Sequence, residues 1–400
     1  MTKRPMKILH LFSDRKLTGP ADPALNLCAE LKRQGLDILF ACCSDGNTRM
    51  AAVKRRAEEL GLDPIVSFQL KKHFNWKGNV QDLLALPQFL RKHKVDIVHT
   101  HLDNDHLIGA QAARSAKKGI VVLRSCYKGR GPRRTVRSRY IFGRLTDGVI
   151  VPSEAAKTAM REKFRFAAGR VWLIGGAVDM DRFNPINVKK DKRAEFDLNT
   201  DDFVVGIVAR IQSHRRFDVL LEAMKLVSKR NPTIKLLIVG RGTKMQELAA
   251  DPVKKMRLTR CVKFAGYQSG PDYVDTLACM DVKVFLVPGT DGTCRAVREA
   301  MSMGKPIIAA RRGMLPEIVD HGVNGIVIKD SPAALAEVIC HLAQDRASLR
   351  SMSEEALRKA QNQYRLDAQA RQVRDVYDQL IRSGVSAAAR REKEGPEGYL

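Results

Sequence analysis

Short apolar runs, separated by stretches with helical periodicity, recur along this 400-residue chain. Within each run nearly every residue is apolar, rather than every second one, as in MKILHLF, GVIVPS and VKVFLV. Strands of this kind are buried on both faces, which is typical of a parallel sheet covered by helices. The pattern therefore predicts an α/β protein built from repeated strand–helix units.

The strand–helix units form two successive arrays. Helical patterns separate the strands, for example at 23–34 in the first array and 217–229 in the second. Two arrays predict two doubly wound domains, each binding ligands at the carboxyl ends of its strands. The predicted strands lie at 6–12, 37–43, 96–101, 120–125, 148–153 and 171–175, then at 203–209, 234–240, 262–266, 282–287, 306–310 and 325–328.

The length also favours two domains, because 400 residues exceed one ordinary core. The strand pattern is interrupted at 179–202, a segment rich in charged and turn residues that indicates a linker. We expect an N-terminal domain at 1–185, a linker at 186–200, a second domain at 201–365, a helix at 366–385 that can cross back to the first domain, and a polar tail at 386–400.

Composition narrows the class of protein. The first residues, MTKRPMKILHLF, contain only a short apolar run, which we read as a strand and not as a signal peptide. We find no run near the roughly 20 apolar residues of a membrane-spanning helix. The eight cysteines are scattered without a Cys-x-x-Cys pair, which disfavours a disulfide framework or zinc site and favours the reducing cytoplasm.

The net charge of +26 indicates anionic partners. Nucleic acid, an anionic membrane surface and phosphorylated substrates all fit such a field. The excess is concentrated in the first half of the chain, and a basic solvated surface without a specific partner is the simpler alternative.

One loop in the second array combines a helix start with two carboxylates. The strand at 282–287 ends in PGTDGT, and Glu299 follows Asp291 by eight residues. Backbone N–H groups at such a helix start can bind an anion. The alternative is an ordinary turn in which Asp291 or Thr293 caps a core helix.

The stretch DGTCRAVREAMSMGKPIIAARRGMLPEIVDHGVNGIVI, residues 291–328, resembles the donor-binding signature of retaining GT-B glycosyltransferases of family 4. The resemblance implies the GT-B fold, in which two Rossmann-like doubly wound domains face each other across a cleft. It implies that Glu299 binds the ribose of a nucleotide and that Asp291, in place of the family's glutamate, contacts the transferred sugar. The amides of the next loop residues would face the sugar and diphosphate, with a further carboxylate nearby: Gly292, Thr293 and Cys294, then Glu317.

Two arginines follow the first strand of the second array. Arg210 comes just after the strand, and Arg215 lies five residues further on. A pair of fixed cations would stabilise a leaving diphosphate without a metal, although two surface arginines remain the alternative. In the family's motif an Arg matches Arg210, while Arg215 replaces a Lys and Arg216 a Gly. We therefore expect no metal and no cofactor beyond the donor.

Histidines and a glycine mark the first array. His99 and His101 lie on one face of a strand end, where a metal pair would lack a third ligand and a structural role is common. The resemblance implies that His101 contacts the donor sugar or the incoming hydroxyl. It also implies that Gly19 approaches the diphosphate, since the family has Gly-Gly where this chain has Thr18-Gly19-Pro20.

Two basic stretches of the first array contain aromatic residues. They are KKHFNWKG at 71–78 and RSCYKGRGPRRTVRSRYIFGR at 124–144. Docking at a lipid headgroup layer or on an anionic acceptor suits this mixture, while a solvated loop and a nucleic-acid groove are alternatives. The residues predicted to bind acceptor or membrane are Lys71, Lys72, Trp76, Arg130, Arg133, Arg134 and Arg137.

The family resemblance, together with these features, implies a retaining glycosyltransferase. Its donor would be a UDP-sugar, with GDP- and ADP-sugars as alternatives, and its acceptor a lipid-linked or cell-envelope glycan, as in lipopolysaccharide biosynthesis. We expect a cytoplasmic protein, peripheral at the inner face of the plasma membrane, with the base near FAGY at 264–267. The alternatives are a hydrolysing nucleotide-sugar epimerase, a sugar-nucleotide-binding protein without turnover, a nucleic-acid-binding module, and an inverting enzyme with Asp103 or Asp105 as base.

Overall fold

The computed structural model describes residues 4–43, 51–116 and 119–383, and the predicted polar tail at 386–400 lies outside them. The α/β class predicted from the sequence is confirmed, with two parallel sheets. The strands β1 to β13 are Lys7–Phe12, Asp37–Cys42, Pro64–Ile65, Ile97–Thr100, Val121–Ser125, Gly148–Val151, Val171–Leu173, Phe203–Val208, Ile234–Val239, Val262–Gly266, Val282–Phe285, Ile307–Ala310 and Gly325–Ile328.

Helices cover both sheets, as the apolar strands require. Several begin at a side-chain cap, for example Asn75 and Ser153, which accept hydrogen bonds from backbone N–H groups three residues later. The helices α1 to α14 are Ala21–Arg33, Ala52–Glu59, Trp76–Lys92, Asp103–Ala116, Val136–Tyr140, Glu154–Phe164, Phe217–Arg230, Asp251–Lys255, Gly270–Ala278, Asp291–Ser302, Leu315–Ile318, Pro332–Gln344, Arg346–Gln363 and Leu366–Arg382. Within the described residues, no helix is long and apolar enough to cross a membrane.

The chain divides into two compact units. Unit 1 contains the residues up to Gly176 and those from Leu366 onward, and unit 2 contains Ala177–Arg365. The segment expected as a linker belongs to unit 2, because Phe183 and Leu198 are buried in one of its apolar clusters. The charged residues around them hid these two core positions from the sequence reading.

Unit 1 has a seven-stranded parallel sheet in the order β3-β2-β1-β4-β5-β6-β7. The chain order reverses between β1 and β4, which places the expected ligand edge at their carboxyl ends. The last helix, α14, belongs to this unit, where Val373, Val376 and Tyr377 are buried against strand residues such as Ile8 and Ile97.

Unit 2 has a six-stranded parallel sheet in the order β10-β9-β8-β11-β12-β13. Its order reverses between β8 and β11. Arg210 lies in the loop after β8, and Asp291 begins α10 after β11, so both lie at this edge. Each unit thus presents one switch point, where α/β sheets bind ligands.

Candidate active site

Glycines hold the loop that carries Arg210 in place. In unit 2 a Cβ atom at Gly240 would come within 2.0 Å of the carbonyl oxygen of Ala209, and one at Gly242 within 2.2 Å of that of Ile211. Gly240 also has a φ of +142°, which other residues rarely adopt. Backbone hydrogen bonds from Ala209 N to Val239 O and from Ile211 N to Arg241 O complete the contact. The close approach fixes the backbone on both sides of Arg210.

The two predicted diphosphate ligands differ in environment. Arg210 is exposed just after β8, whereas Arg215 is partly buried in a short 3₁₀ turn before α7. The Nε atom of Arg215 is buried and has no hydrogen-bond partner, and burial lowers the pKa of its guanidinium.

Arg216 occupies a left-handed position, with φ 60° and ψ 38°. A side chain there costs about 1–2 kcal/mol relative to glycine. Its Nη1 donates to Asp330 Oδ2 at 2.5 Å, and Arg312 pairs with the same oxygen. Asp330 therefore ties the loop after β8 to the loop after β12, and this ion pair offsets part of the backbone cost.

The loop before α10 also depends on close backbone contact. Gly289 and Gly313 form an isolated parallel bridge, and a Cβ at Gly313 would lie 2.5 Å from the Gly289 carbonyl oxygen. A Cβ at Gly289 would meet the Cys294 sulfur at 2.5 Å. Only glycine fits both places, so the start of α10 is held against the Arg312-Gly313 loop.

The structure pairs Asp291 with a residue of its own helix. Arg298 Nη2 donates to Asp291 Oδ1 at 2.7 Å, Arg298 Nη1 donates to the Asp291 carbonyl at 3.2 Å, and both side chains are buried. The guanidinium also lies 5.4 Å from the centre of the Tyr364 ring. In this arrangement the Asp291 carboxylate stabilises the first turns of α10 through Arg298. A contact with a sugar would come in addition to this ion pair.

Glu299 is held from both sides near the same edge. The hydroxyl of Tyr273 donates to Glu299 Oε2 at 2.9 Å, and Arg295 Nε lies 3.3 Å from Oε1. Below the helix, Lys283 is fully buried and its Nζ donates to the Ala296 carbonyl. Burial lowers the pKa of this lysine to about 8, while the negative charge of Glu299 acts in the opposite direction. The carboxylate is thereby fixed in position before any ligand arrives.

The remaining predicted donor residues have varied positions. The Cys294 N–H donates to the Thr290 carbonyl at 2.8 Å as part of the first helical turn, and the cysteine side chain is buried. Glu317 lies exposed in the first turn of α11, and Gly19 lies exposed in unit 1 just before α1. Thr293 belongs to the first turn of α10, but its side chain lies outside the described part of the chain.

At the carboxyl edge of unit 1, one carboxylate organises two loops. Asp105, fully buried at the start of α4, accepts hydrogen bonds from the backbone N–H groups of Ser13, His101 and Leu102 at 2.8 to 3.1 Å. Burial raises its pKa to about 6, against the effect of nearby Arg124. A carboxylate used in this way positions the loop of His101, which leaves it poorly suited to the weak alternative role of general base.

His101 is fully buried in a cluster of rings. Its Nε2 lies 3.0 Å from His10 Nδ1, and its Nδ1 lies 2.7 Å from the Tyr127 hydroxyl. Potential metal-ligand atoms of His10, Cys28 and His101 lie within 4.8 Å of one another. Both nitrogens of each of these two imidazoles already have hydrogen-bond partners, with the Tyr377 hydroxyl 3.1 Å from His10 Nε2. The cluster is therefore satisfied as a hydrogen-bond network.

The two basic stretches of unit 1 meet at the surface. Arg137 lies 5.3 Å from the ring centre of Phe74, which joins α5 to the segment before α3. Phe74 is 60% exposed, Trp76 64%, Val136 84% and Tyr140 49%. In the sequence these exposed side chains are interleaved with arginines and lysines. We call these residues, with Lys71, Lys72, Arg130, Arg133 and Arg134, the basic–aromatic surface.

The sequence reading missed residues that position the candidate ligands. Lys283 stood out only as one charge within an apolar strand, VKVFLV, which was a usable signal for a buried cation. His10 stood within KILHLF in the same way. Tyr273 and Arg298 looked like ordinary helix residues, and nothing in the sequence pairs them with Glu299 and Asp291.

Family models match both parts of the chain. Residues 23–182 match "Glycosyltransferase Family 4", and residues 188–359 match "Glycosyl transferases group 1". A UDP-Gal:alpha-D-GlcNAc-diphosphoundecaprenol alpha-1,3-galactosyltransferase of Escherichia coli is 25% identical over 76% of this chain and 80% of its own length.

Solved structures share the fold. HepE of Anabaena, in complex with UDP, has a TM-score of 0.77 at 21% identity and covers 94% of this chain and 100% of its own. The lipopolysaccharide outer core galactosyltransferase WaaB has a TM-score of 0.69 at 16% identity and covers 94% of this chain and 99% of its own. The two family models between them span most of the chain, and it belongs to the glycosyltransferases, with two Rossmann-like units of the GT-B fold.

Proposed function

We propose that this chain transfers a hexose from a nucleotide-diphosphate donor, with retention of configuration, to a lipid-linked or cell-envelope glycan. The observation that carries the proposal is the carboxyl edge of unit 2. A fixed carboxylate, Glu299, and two cations, Arg210 and Arg215, follow strands of the same sheet around its switch point. A ribose diol and a diphosphate need these two kinds of group.

Unit 2 is proposed as the donor-binding domain. Glu299 accepts hydrogen bonds from the ribose hydroxyls, while Arg210 and Arg215 neutralise the diphosphate as its charge grows in the transition state. The amides of Gly292, Thr293 and Cys294 face the sugar and phosphates at the start of α10. Gly19 and Glu317 complete the donor contacts. UDP-sugars are favoured because HepE was crystallised with UDP.

His101 and Asp291 are proposed to contact the transferred sugar or the incoming hydroxyl. Neither side chain is placed as a covalent nucleophile: the imidazole is buried in its ring cluster, and the carboxylate is paired with Arg298. Front-face attack, in which the leaving diphosphate accepts the proton of the acceptor hydroxyl, needs no protein nucleophile and no metal. The mechanism therefore rests on cations and positioning.

Unit 1 is proposed as the acceptor-binding domain, held at the inner face of the plasma membrane. The basic–aromatic surface combines exposed rings with cations, as required for docking at anionic headgroups. A lipid-linked acceptor fits this location, and the Escherichia coli relative acts on a diphosphoundecaprenol-linked sugar by its name. The net charge of +26 adds long-range attraction to the membrane.

A donor panel tests the proposed reaction. The protein would be incubated with UDP-, GDP- and ADP-sugars and lipid-linked oligosaccharide acceptors, and the products identified by mass spectrometry and anomeric NMR. We expect one donor class to raise the melting temperature and to transfer its sugar with retention. Release of UDP without acceptor would point instead to an epimerase or hydrolase, and stabilisation without turnover to a binding protein.

Liposome flotation tests the membrane component. Replacing Arg133, Arg134 and Arg137 with serine should reduce binding to vesicles containing anionic phosphatidylglycerol by about a hundredfold, at about 1 kcal/mol per cation. A matched control replaces three exposed cations of unit 2, Lys254, Lys255 and Arg260, and should bind nearly as the wild type does. Equal loss in both variants, or no loss in the first, would contradict a specific docking surface.

A further inference from the structure

A continuous chain of hydrogen bonds runs through unit 1 from β5 to the loop after it, by way of α14. Ser125 Oγ lies 2.8 Å from His99 Nε2, and His99 Nδ1 lies 2.7 Å from the Tyr377 hydroxyl. The same hydroxyl lies 3.1 Å from His10 Nε2. From His10 the chain continues to His101 and then to Tyr127, at 3.0 and 2.7 Å.

Burial keeps the three imidazoles neutral. His10, His99 and His101 are fully buried, and burial lowers the pKa of His10 to about 3 and the pKa values of the other two well below 6.5. A neutral imidazole carries one proton, so one nitrogen donates and the other accepts. A ring that accepts a hydrogen bond from one neighbour must therefore donate one to its other neighbour.

Tyr377 links the two halves of the chain. Its hydroxyl contacts His99 and His10, so it donates to one ring and accepts from the other. If it accepted from both, its own hydrogen would be buried without a partner among the described residues, which costs about 1–3 kcal/mol. The hydroxyl therefore couples the proton position on one histidine to that on the other.

Following the chain leaves two arrangements. In the first arrangement every histidine donates from Nδ1. His99 then donates to Tyr377, and Tyr377 donates to His10. His10 in turn donates to His101, and His101 donates to Tyr127. If instead His101 donates from Nε2, then His10 and His99 also donate from Nε2. In either case the three histidines carry the proton on the same type of nitrogen.

We propose that Tyr377 of α14 is a positioning residue for His101, and that it acts by holding His10, His99 and His101 in one shared tautomer. His101 determines whether the Tyr127 hydroxyl accepts from the ring or donates to it, so the chain sets the hydrogen-bonding state of this end of the cluster. The consequence for sugar transfer rests on the proposed function of His101. The shared tautomer itself does not.

Nitrogen NMR of the full-length protein labelled with ¹⁵N-histidine tests the proposal without any ligand. Long-range ¹H–¹⁵N spectra at pH 7.5 report the tautomer of each ring, with assignment by single histidine-to-glutamine variants. We expect His10, His99 and His101 to be neutral and to share one tautomer. Two different tautomers among the three would overturn the proposal; the variants serve only to assign the signals, and the tautomers are read from the wild-type spectrum.

The variant Tyr377→Phe then tests the coupling. It keeps the buried ring but removes the hydroxyl and its hydrogen bonds to both His99 and His10. The tautomer ratio of His101 should shift by about fivefold although Tyr377 does not bond to it, because a difference of about 1 kcal/mol between the hydrogen bonds lost from the two arrangements changes the ratio by that factor. The matched control is Gln379→Ala on the same helix, which removes the 3.0 Å bond from Trp172 Nε1 and leaves the histidines untouched. An unchanged His101 in Tyr377→Phe, or an equal shift in the control, would contradict a specific function of the hydroxyl.

Discussion

The buried pair of Asp291 and Arg298 allows a direct test of what Asp291 contributes. Replacing Asp291 with alanine leaves a buried guanidinium without its carboxylate, and arginine cannot lose its charge to relieve the cost. Burial disfavours the charged form of Arg298, but the charges of Asp291, Cys294 and Tyr364 and the hydrogen bond to Asp291 together raise its pKa. In the variant, the desolvation cost of the buried guanidinium is therefore no longer offset by the ion pair.

The expected loss is large for one substitution. Removing one partner of a buried ion pair costs about 3–5 kcal/mol. For a unit the size of residues 177–365, each kcal/mol lowers the melting temperature by about 2–4 °C, which gives a fall of about 10 °C. The double variant Asp291→Ala, Arg298→Met removes both charges and should recover most of this loss, because an apolar replacement of a buried pair is often nearly neutral.

Differential scanning calorimetry and urea unfolding of the wild type, both single variants and the double variant close the thermodynamic cycle. We expect the double variant to be several kcal/mol more stable than the sum of the single effects predicts. Additive effects, or a loss below about 1 kcal/mol in Asp291→Ala, would refute the view that the pair is a coupled structural unit. Turnover of the double variant would then report any separate contact of Asp291 with the sugar.

Three further outcomes follow from the site. Arg210→Ala should abolish transfer without lowering the melting temperature, and near-normal turnover would remove its proposed contact with diphosphate. Glu299→Gln should weaken UDP binding about tenfold or more in calorimetry, since hydrogen bonds to charged groups contribute about 1.5–3 kcal/mol. Stability should fall below pH 6.5, because the buried His10, His99, His101 and His106 have lowered folded pKa values and the unfolded chain takes up the protons. Each of these histidines costs about 1.4 kcal/mol at pH 5.5, and Asp105, whose pKa is raised to about 6, offsets about 0.8 kcal/mol of the total. Urea midpoints that stay constant from pH 7.5 to 5.5 would contradict the last prediction.

The strand pattern predicted most of the fold, since runs such as 234–240 and 325–328 need burial on both faces and only a covered parallel sheet provides it. Two parts escaped. Strand β3 has only two residues, Pro64–Ile65, too few to show a periodicity. The core positions Phe183 and Leu198 were hidden among charged neighbours.

The candidate site was predicted less completely, because a sequence names charged residues but not their partners. Glu299 was found from its motif, whereas its contact with Tyr273 joins two helices 26 residues apart in the chain. The contact of Tyr377 with His10 spans 367 residues and depends on the return of α14 to unit 1. Such long-range pairs are set by topology, which short motifs do not encode.

The return of α14 has a consequence for synthesis of the protein. Unit 1 ends only with the helix at Leu366–Arg382, after the whole of unit 2 has left the ribosome. Unit 2 is continuous in the chain, so it can complete its core first. Until α14 is made, Ile8 and Ile97 in the sheet of unit 1 lack the helix that covers them. The N-terminal half is thus the last to mature, and a nascent chain stopped near Arg365 would present an apolar face for chaperones to bind.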